Sequence, residues 1–139
     1  MRLPGWGCSL RRLLVVQDKE TRDLLSRLNA KYFPGAGDDM DPFYGAPTVL
    51  VVLASKERPT CVEDGSLVMG NLMNAAYAVG VGSCWIHRAR EVFDSEEGKE
   101  LLKNGGLKGT MWAWATVSSD ILPEIFRRQN RVKMIMSYM

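Results

Sequence analysis

The stretch GVGSCWIHRA, Gly80 to Ala89, places a glycine-punctuated turn in front of a short run, SCWI, and the only histidine of the chain. The glycines break regular structure, and Ser83 to Ile86 reads as a short strand that closes at His87 and Arg88. Cys84 and His87 in one segment invite a metal or thiol-nucleophile reading. Zinc wants three or four ligands, and no second histidine or paired cysteine completes such a set. A cysteine nucleophile wants a base that faces it, whereas neighbouring strand residues point to opposite sides. The plain reading of the side chains is therefore Cys84 as a small buried hydrophobe and His87 as an exposed residue at a strand end. It leaves the dense Gly-x-Gly-Ser-Cys-Trp-Ile-His-Arg pattern unexplained.

Outward from this stretch the chain alternates strands and helices. Before it lies CVEDGSLVMGNLMNAAYAV, Cys61 to Val79, a long helix with Glu63 and Asp64 in its first turn and a very wide apolar face. A helix of that kind is normally buried, and Gly65, Gly70, Ala75 and Ala76 allow another backbone to approach. So small a domain cannot cover all of it, which predicts a two-fold homodimer. After the stretch, REVFDSEEGKELLKNGG, Arg90 to Gly106, reads as one helix ending at glycines. Leu13 to Val16 and TVLVVLA, Thr48 to Ala54, are nearly continuous apolar runs, as in strands covered on both faces. Between them, Asp18 to Phe33 is an amphipathic helix with Asp18 as its cap and Leu24, Leu25 and Leu28 on one face. Pro34 to Pro47 is loop by composition.

The composition excludes several classes. The chain has 139 residues, 46% hydrophobic and 24% charged, which suits one domain with a real core. A net charge of +2 with scattered basic residues argues against a nucleic-acid partner. Cys8, Cys61 and Cys84 form no CxxC pair and are odd in number, which favours a reducing compartment, the cytoplasm by default. The N-terminal apolar runs are too interrupted for a signal segment or a membrane span.

Taken together, YGAP before the second strand, VEDGS and MGNLMNAA on the long helix, and GxGSCWIHRA make Phe43 to Lys103 resemble the middle of an FMN-dependent nitroreductase. LLVVQD, Leu13 to Asp18, and the helix after it fit the same family. The resemblance implies an α+β fold, with a mostly antiparallel central sheet wrapped by helices and FMN at a homodimer interface packed through the long helix. It implies that the strand end Cys84 to Arg88 lies along the flavin. Backbone groups there meet the reactive edge, Trp85 and Ile86 pack near the ring, and His87 and Arg88 lie at its polar rim. Hydride then passes from NAD(P)H through the flavin to a small-molecule oxidant with no obligatory side-chain acid, so no catalytic residue and no metal is implied. Arg127 and Arg128 match positions where the family has cations that reach the phosphate, although adjacent arginines are also what a solvated surface carries.

The ends depart from the family. Its members begin with an Arg-Arg-Ser-x-Arg type helix that binds the FMN phosphate, and this chain starts after that element. Where a Pro-Ser-Gly-x-x-x-Gln-x-Trp type loop is due, one reads MRLPGWGCSLRRLLVVQ. A single reading-frame offset turns MRLPGWGCSL into Ala-Pro-Ser-Gly-Met-Gly-Leu-Gln-Ser under permitted codons. The same offset forces Val-Gly-x-Gly from Met111 to Ala115 and continues through TVSSDILP as His-Cys-Ile-Leu-Gly-Tyr-Pro-Ala, which resembles the family's last core strand. RRQNRVKMI restores the frame. The expectation is a truncated, partly frame-shifted member in which TMWAWATVS keeps strand-forming composition while Arg2, Leu3 and Trp6 obstruct the flavin loop. Two readings stand: a nitroreductase-type enzyme, and a non-enzymatic remnant that dimerises but has lost flavin binding.

Overall fold

Residues 10–35, 37, 39–105, 111–118 and 133–135 are described by a computed structural model. Its strands are β1 (Leu10–Val16), β2 (Thr48–Ser55), β3 (Ser83–Ile86), β4 (Met111–Ser118) and β5 (Lys133–Ile135). Its helices are α1 (Lys19–Ala30), α2 (Cys61–Ala78), α3 (Ala89–Asp94) and α4 (Glu96–Asn104). The strands form one sheet in the order β3-β4-β2-β1-β5, and every described pairing is antiparallel. The expected α+β class and antiparallel sheet are present.

The central strand shows why the apolar runs are continuous. Val49, Val51 and Leu53 join Leu14, Val16, Leu25, Leu28, Val92 and Phe93 in one buried cluster, on the face that α1, α3 and α4 cover. Val52 and Ala54, pointing the other way, meet Cys61 and Met69 of α2. A strand with helices on both faces has no polar side, so alternation disappears from its sequence.

Local chemistry sets the element ends. Asp18 caps α1, its carboxylate accepting from the Thr21 backbone N–H at 2.9 Å. Gly80, with φ of +75°, follows the end of α2, where the Gly80 and Val81 amides donate back to the Tyr77 and Ala76 carbonyls. The single helix expected over Arg90 to Gly106 is instead two. Ser95 is extended and caps α4 by accepting from the Gly98 N–H, while its own hydroxyl donates to the Val92 carbonyl that ends α3. This corner needs glycine at 98, because a Cβ there would lie 1.9 Å from the Val92 carbonyl oxygen.

The strand expected from TMWAWATVS is β4, whose backbone pairs with β2 from Thr48↔Ser118 to Ser55↔Met111. The Met1 to Ser9 segment, with Arg2, Leu3 and Trp6, lies outside the described residues.

Candidate functional site

Among the described residues β3 is an edge strand, held on one side by β4 from Ser83↔Ser118 to Ile86↔Ala115. Its last residue, Ile86, is 4% exposed and sits in the larger core, so its side chain is committed there. Trp85, pointing to the opposite face, is 39% exposed. His87 is exposed, as expected.

Cys84 corrects the sequence reading: it is exposed rather than a buried hydrophobe, with its thiol 3.7 Å from the Trp85 carbonyl oxygen. It shares the face of Ile86 but lies two residues farther from α3, and only the Ile86 end of the strand reaches the core.

Arg88 turns the chain from β3 into α3. Its φ is +74° and ψ +3°, a left-handed conformation that costs a non-glycine residue about 1–2 kcal/mol. Two contacts fix the corner. The Arg88 guanidinium bonds Glu91 at 2.9 Å, and the side-chain amide of Asn29, from α1, donates to the His87 carbonyl at 2.9 Å. Burial works against the charge of Glu91, but the Arg88 hydrogen bond, its own backbone N–H and the nearby arginines outweigh it and hold its carboxyl below the usual range. Arg90 lies 3.8 Å from Asp94, which also takes Lys56.

The YGAP loop is organised by a residue the sequence reading did not single out. The Asp41 carboxylate accepts from the Phe43 and Gly45 amides at 3.0 and 2.7 Å, from the Ser26 hydroxyl at 2.6 Å, and from Arg22. Burial raises its pKa, and those four donors more than reverse the effect, holding it at about 2. Arg22 also reaches the Ala46 carbonyl and lies over the Phe43 ring. The loop so held presents Tyr44 in a left-handed conformation, 75% exposed. The signal in the sequence was an Asp-Pro before an aromatic-glycine turn, together with an arginine and a serine one helical turn apart on α1.

On the face to which Trp85 points, α2 leaves Val62, Leu67 at 67% and Tyr77 at 86% exposed, with Val79 beyond its end. Its buried residues are Cys61, Gly65 and Met69, with Val68 and Leu72 partly buried against them, so part of the wide apolar surface expected to be covered is open in the single chain. A Cβ at Gly70 would meet nothing within 4 Å.

Among the described residues no group of three or more His, Cys, Asp or Glu could hold a metal, and no helix is long and apolar enough to cross a membrane. Of the candidate cofactor residues, Cys84 to Arg88 form one continuous corner, and Arg127 and Arg128 lie outside the described residues.

Neither a family model nor a curated protein matches the sequence. Solved structures do. A nitroreductase with bound FMN from Bacteroides fragilis superposes with a TM-score of 0.66 at 17% identity, over 91% of this chain and 74% of that one. An FMN-dependent nitroreductase from Clostridium difficile gives 0.61 at 23% identity, over 91% and 81%. A second from that organism gives 0.58 at 28% identity, over 79% and 64%. The fold is that of the nitroreductases.

Proposed function

We propose that the chain is one partial domain of a cytoplasmic, homodimeric, FMN-dependent oxidoreductase of nitroreductase type, taking electrons from NAD(P)H to nitroaromatic or quinone acceptors. A fold by itself fixes no function. The observation that carries the reading is the Ile86 to Ala89 corner, where a strained non-glycine residue is pinned at an exposed strand end. Its setting is a fold with FMN-bound solved examples.

The residues present fit a flavin. Among the described residues the strand bearing Cys84 to Ile86 lies at the sheet edge, and its backbone on the side away from β4 is what would face the polar rim of a ring. Trp85 offers a half-exposed apolar surface beside them, and Ile86 offers its backbone. His87 and Arg88 add polar groups at the turn. When bound, FMN supplies the hydride chemistry itself, so the protein has only to bind, orient and exclude water. A second copy of the chain is the proposed cover for Leu67, Tyr77 and the rest of the open α2 face, and Arg127 and Arg128 are the proposed phosphate cations.

One observation favours the second reading, a remnant that holds flavin weakly. Arg88 at the corner and Arg90 just after it are already engaged, Arg88 by Glu91 and Arg90 by Asp94, so neither brings an uncommitted cation to a phosphate. A charge-assisted phosphate contact is worth roughly 1.5–3 kcal/mol, and lacking two weakens binding by on the order of a thousandfold. The two readings separate by flavin absorption: the enzyme takes up FMN on titration and then oxidises NAD(P)H with a nitroaromatic acceptor, while the remnant dimerises and stays colourless.

Met1 to Leu10 and Met111 to Pro123 are part of the same proposal, as segments read one offset away from the family's flavin loop and last strand. That β4 pairs along all of β2 supports only the persistence of strand-forming composition there. The native nucleotide sequence tests the offset directly.

A further inference from the structure

Asn29 lies on the inward face of α1 beside Leu25 and Leu28 and is 1% exposed. Its amide orientation is dictated chemically, because the NH2 must face the His87 carbonyl; turned over, two oxygens would oppose each other. That orientation leaves Oδ1 buried and without a partner among the described residues. Asn29 lines a hollow of about 10 Å³ with Phe43, Val51, Ala89 and Val92. An unpartnered buried polar atom costs free energy, and native folds keep few of them without a reason. Leucine would fill this position without that cost. What asparagine adds is one hydrogen bond, 58 residues away in sequence, to the carbonyl immediately before the left-handed Arg88.

We propose that Asn29 is a positioning residue. By holding the His87 carbonyl it keeps Arg88 in its left-handed state, and so fixes the backbone of the corner that meets the flavin. The inference rests on the flavin reading given above, but the clamp itself is measurable without flavin. Glu91 alone cannot do this work: its bond to the Arg88 side chain is half-exposed and constrains the guanidinium, not the preceding carbonyl.

The test is hydrogen exchange and FMN titration of the full chain carrying Asn29→Leu, Arg88→Gly or both. Glycine adopts the left-handed state without penalty, so it makes the clamp dispensable. With Asn29→Leu, exchange across Ile86–Asp94, including the Val92 amide bonded to the Arg88 carbonyl, rises about tenfold. The Val49–Ala54 segment does not change. Apparent FMN affinity falls about tenfold in the Arg88 background and less than about threefold when Arg88→Gly is also present. If Asn29→Leu does not fold, Asn29→Ser, too short to reach the carbonyl, replaces it. Exchange that rises equally everywhere, or an effect of Asn29→Leu undiminished by Arg88→Gly, overturns the clamp. If no variant, nor the unaltered chain, binds FMN, the functional reading fails, and the exchange pattern still decides the clamp.

Discussion

On the face of the sheet covered by α1, α3 and α4, Val49, Val51 and Leu53 are buried to 1% or less among side chains of this chain's own helices. On the opposite face α2, the one helix there among the described residues, buries Met69 against Val52 and Ala54 and turns Leu67 and Tyr77 outward. Both faces derive from the same strand with the same apolar density. Among the described residues the difference lies in how many elements cover each face, and an apolar surface left open on a small domain marks a place for a partner. Trp85 points to the open side, whereas Ile86 and the turn into α3 are anchored on the closed one.

The largest effect expected from this contrast is on the closed face. Leu53→Ala removes a fully buried side chain and should cost about 3 kcal/mol in urea unfolding. Leu67→Ala on α2 should change the stability of the single chain by less than about 0.5 kcal/mol. Equal costs would mean that the two faces are covered alike.

Next is Asp41, which ties the YGAP loop to α1 on the closed side. Asp41→Asn should cost about 2 kcal/mol near neutral pH, the worth of charge-assisted hydrogen bonds to its four donors. Its folded pKa of about 2 lies below the ordinary 3.8, so the carboxylate's contribution is present above pH 3.8 and is lost as pH falls through 2. Acid unfolding followed by circular dichroism should therefore lose part of its pH dependence in that window in Asp41→Asn. An unchanged acid limb would show that the network does not hold the loop.

A smaller change in stability, with a large one in association, is expected on the open side. Leu67→Asp with Tyr77→Asp should leave folding within about 0.5 kcal/mol and convert a dimer to a monomer in sedimentation. Dimers that persist would place the interface elsewhere. The smallest effect belongs to Cys84→Ser. The thiol is exposed, so the melting temperature and any flavin reduction should be nearly unchanged. Loss of turnover with FMN still bound would give the thiol a role the geometry does not assign it.

The legible parts of the sequence were those governed by local rules. Asp18 as a cap, the doubly covered run Thr48 to Ala54 and the strand SCWI follow from capping and periodicity, which neighbouring residues decide. Ser95 was missed because its break between α3 and α4 depends on a backbone approach that only Gly98 permits, and the helical pattern runs across it. Cys84 was misplaced because strand position does not tell which end of an edge strand the core reaches. Asn29 carried a signal in hindsight, a polar side chain four residues after Leu25 on the apolar face of α1. Its partner, the His87 carbonyl, is a product of tertiary folding that no spacing along the chain announces.

On the proposed reading the corner Cys84 to Arg88 holds a flavin ring, while Arg88 and Arg90, paired with Glu91 and Asp94, bring its phosphate no uncommitted cation. Equilibrium titration of the purified chain with FMN, read by flavin absorption and by sedimentation in the same samples, tests this most directly. The expected result is a nearly colourless dimer that binds FMN saturably, with affinity on the order of a thousandfold below that of a site with two further phosphate contacts. A chain that purifies yellow with one FMN bound per protomer would mean that the phosphate is held without those cations. A folded dimer that takes up no FMN at millimolar concentration would contradict the platform itself.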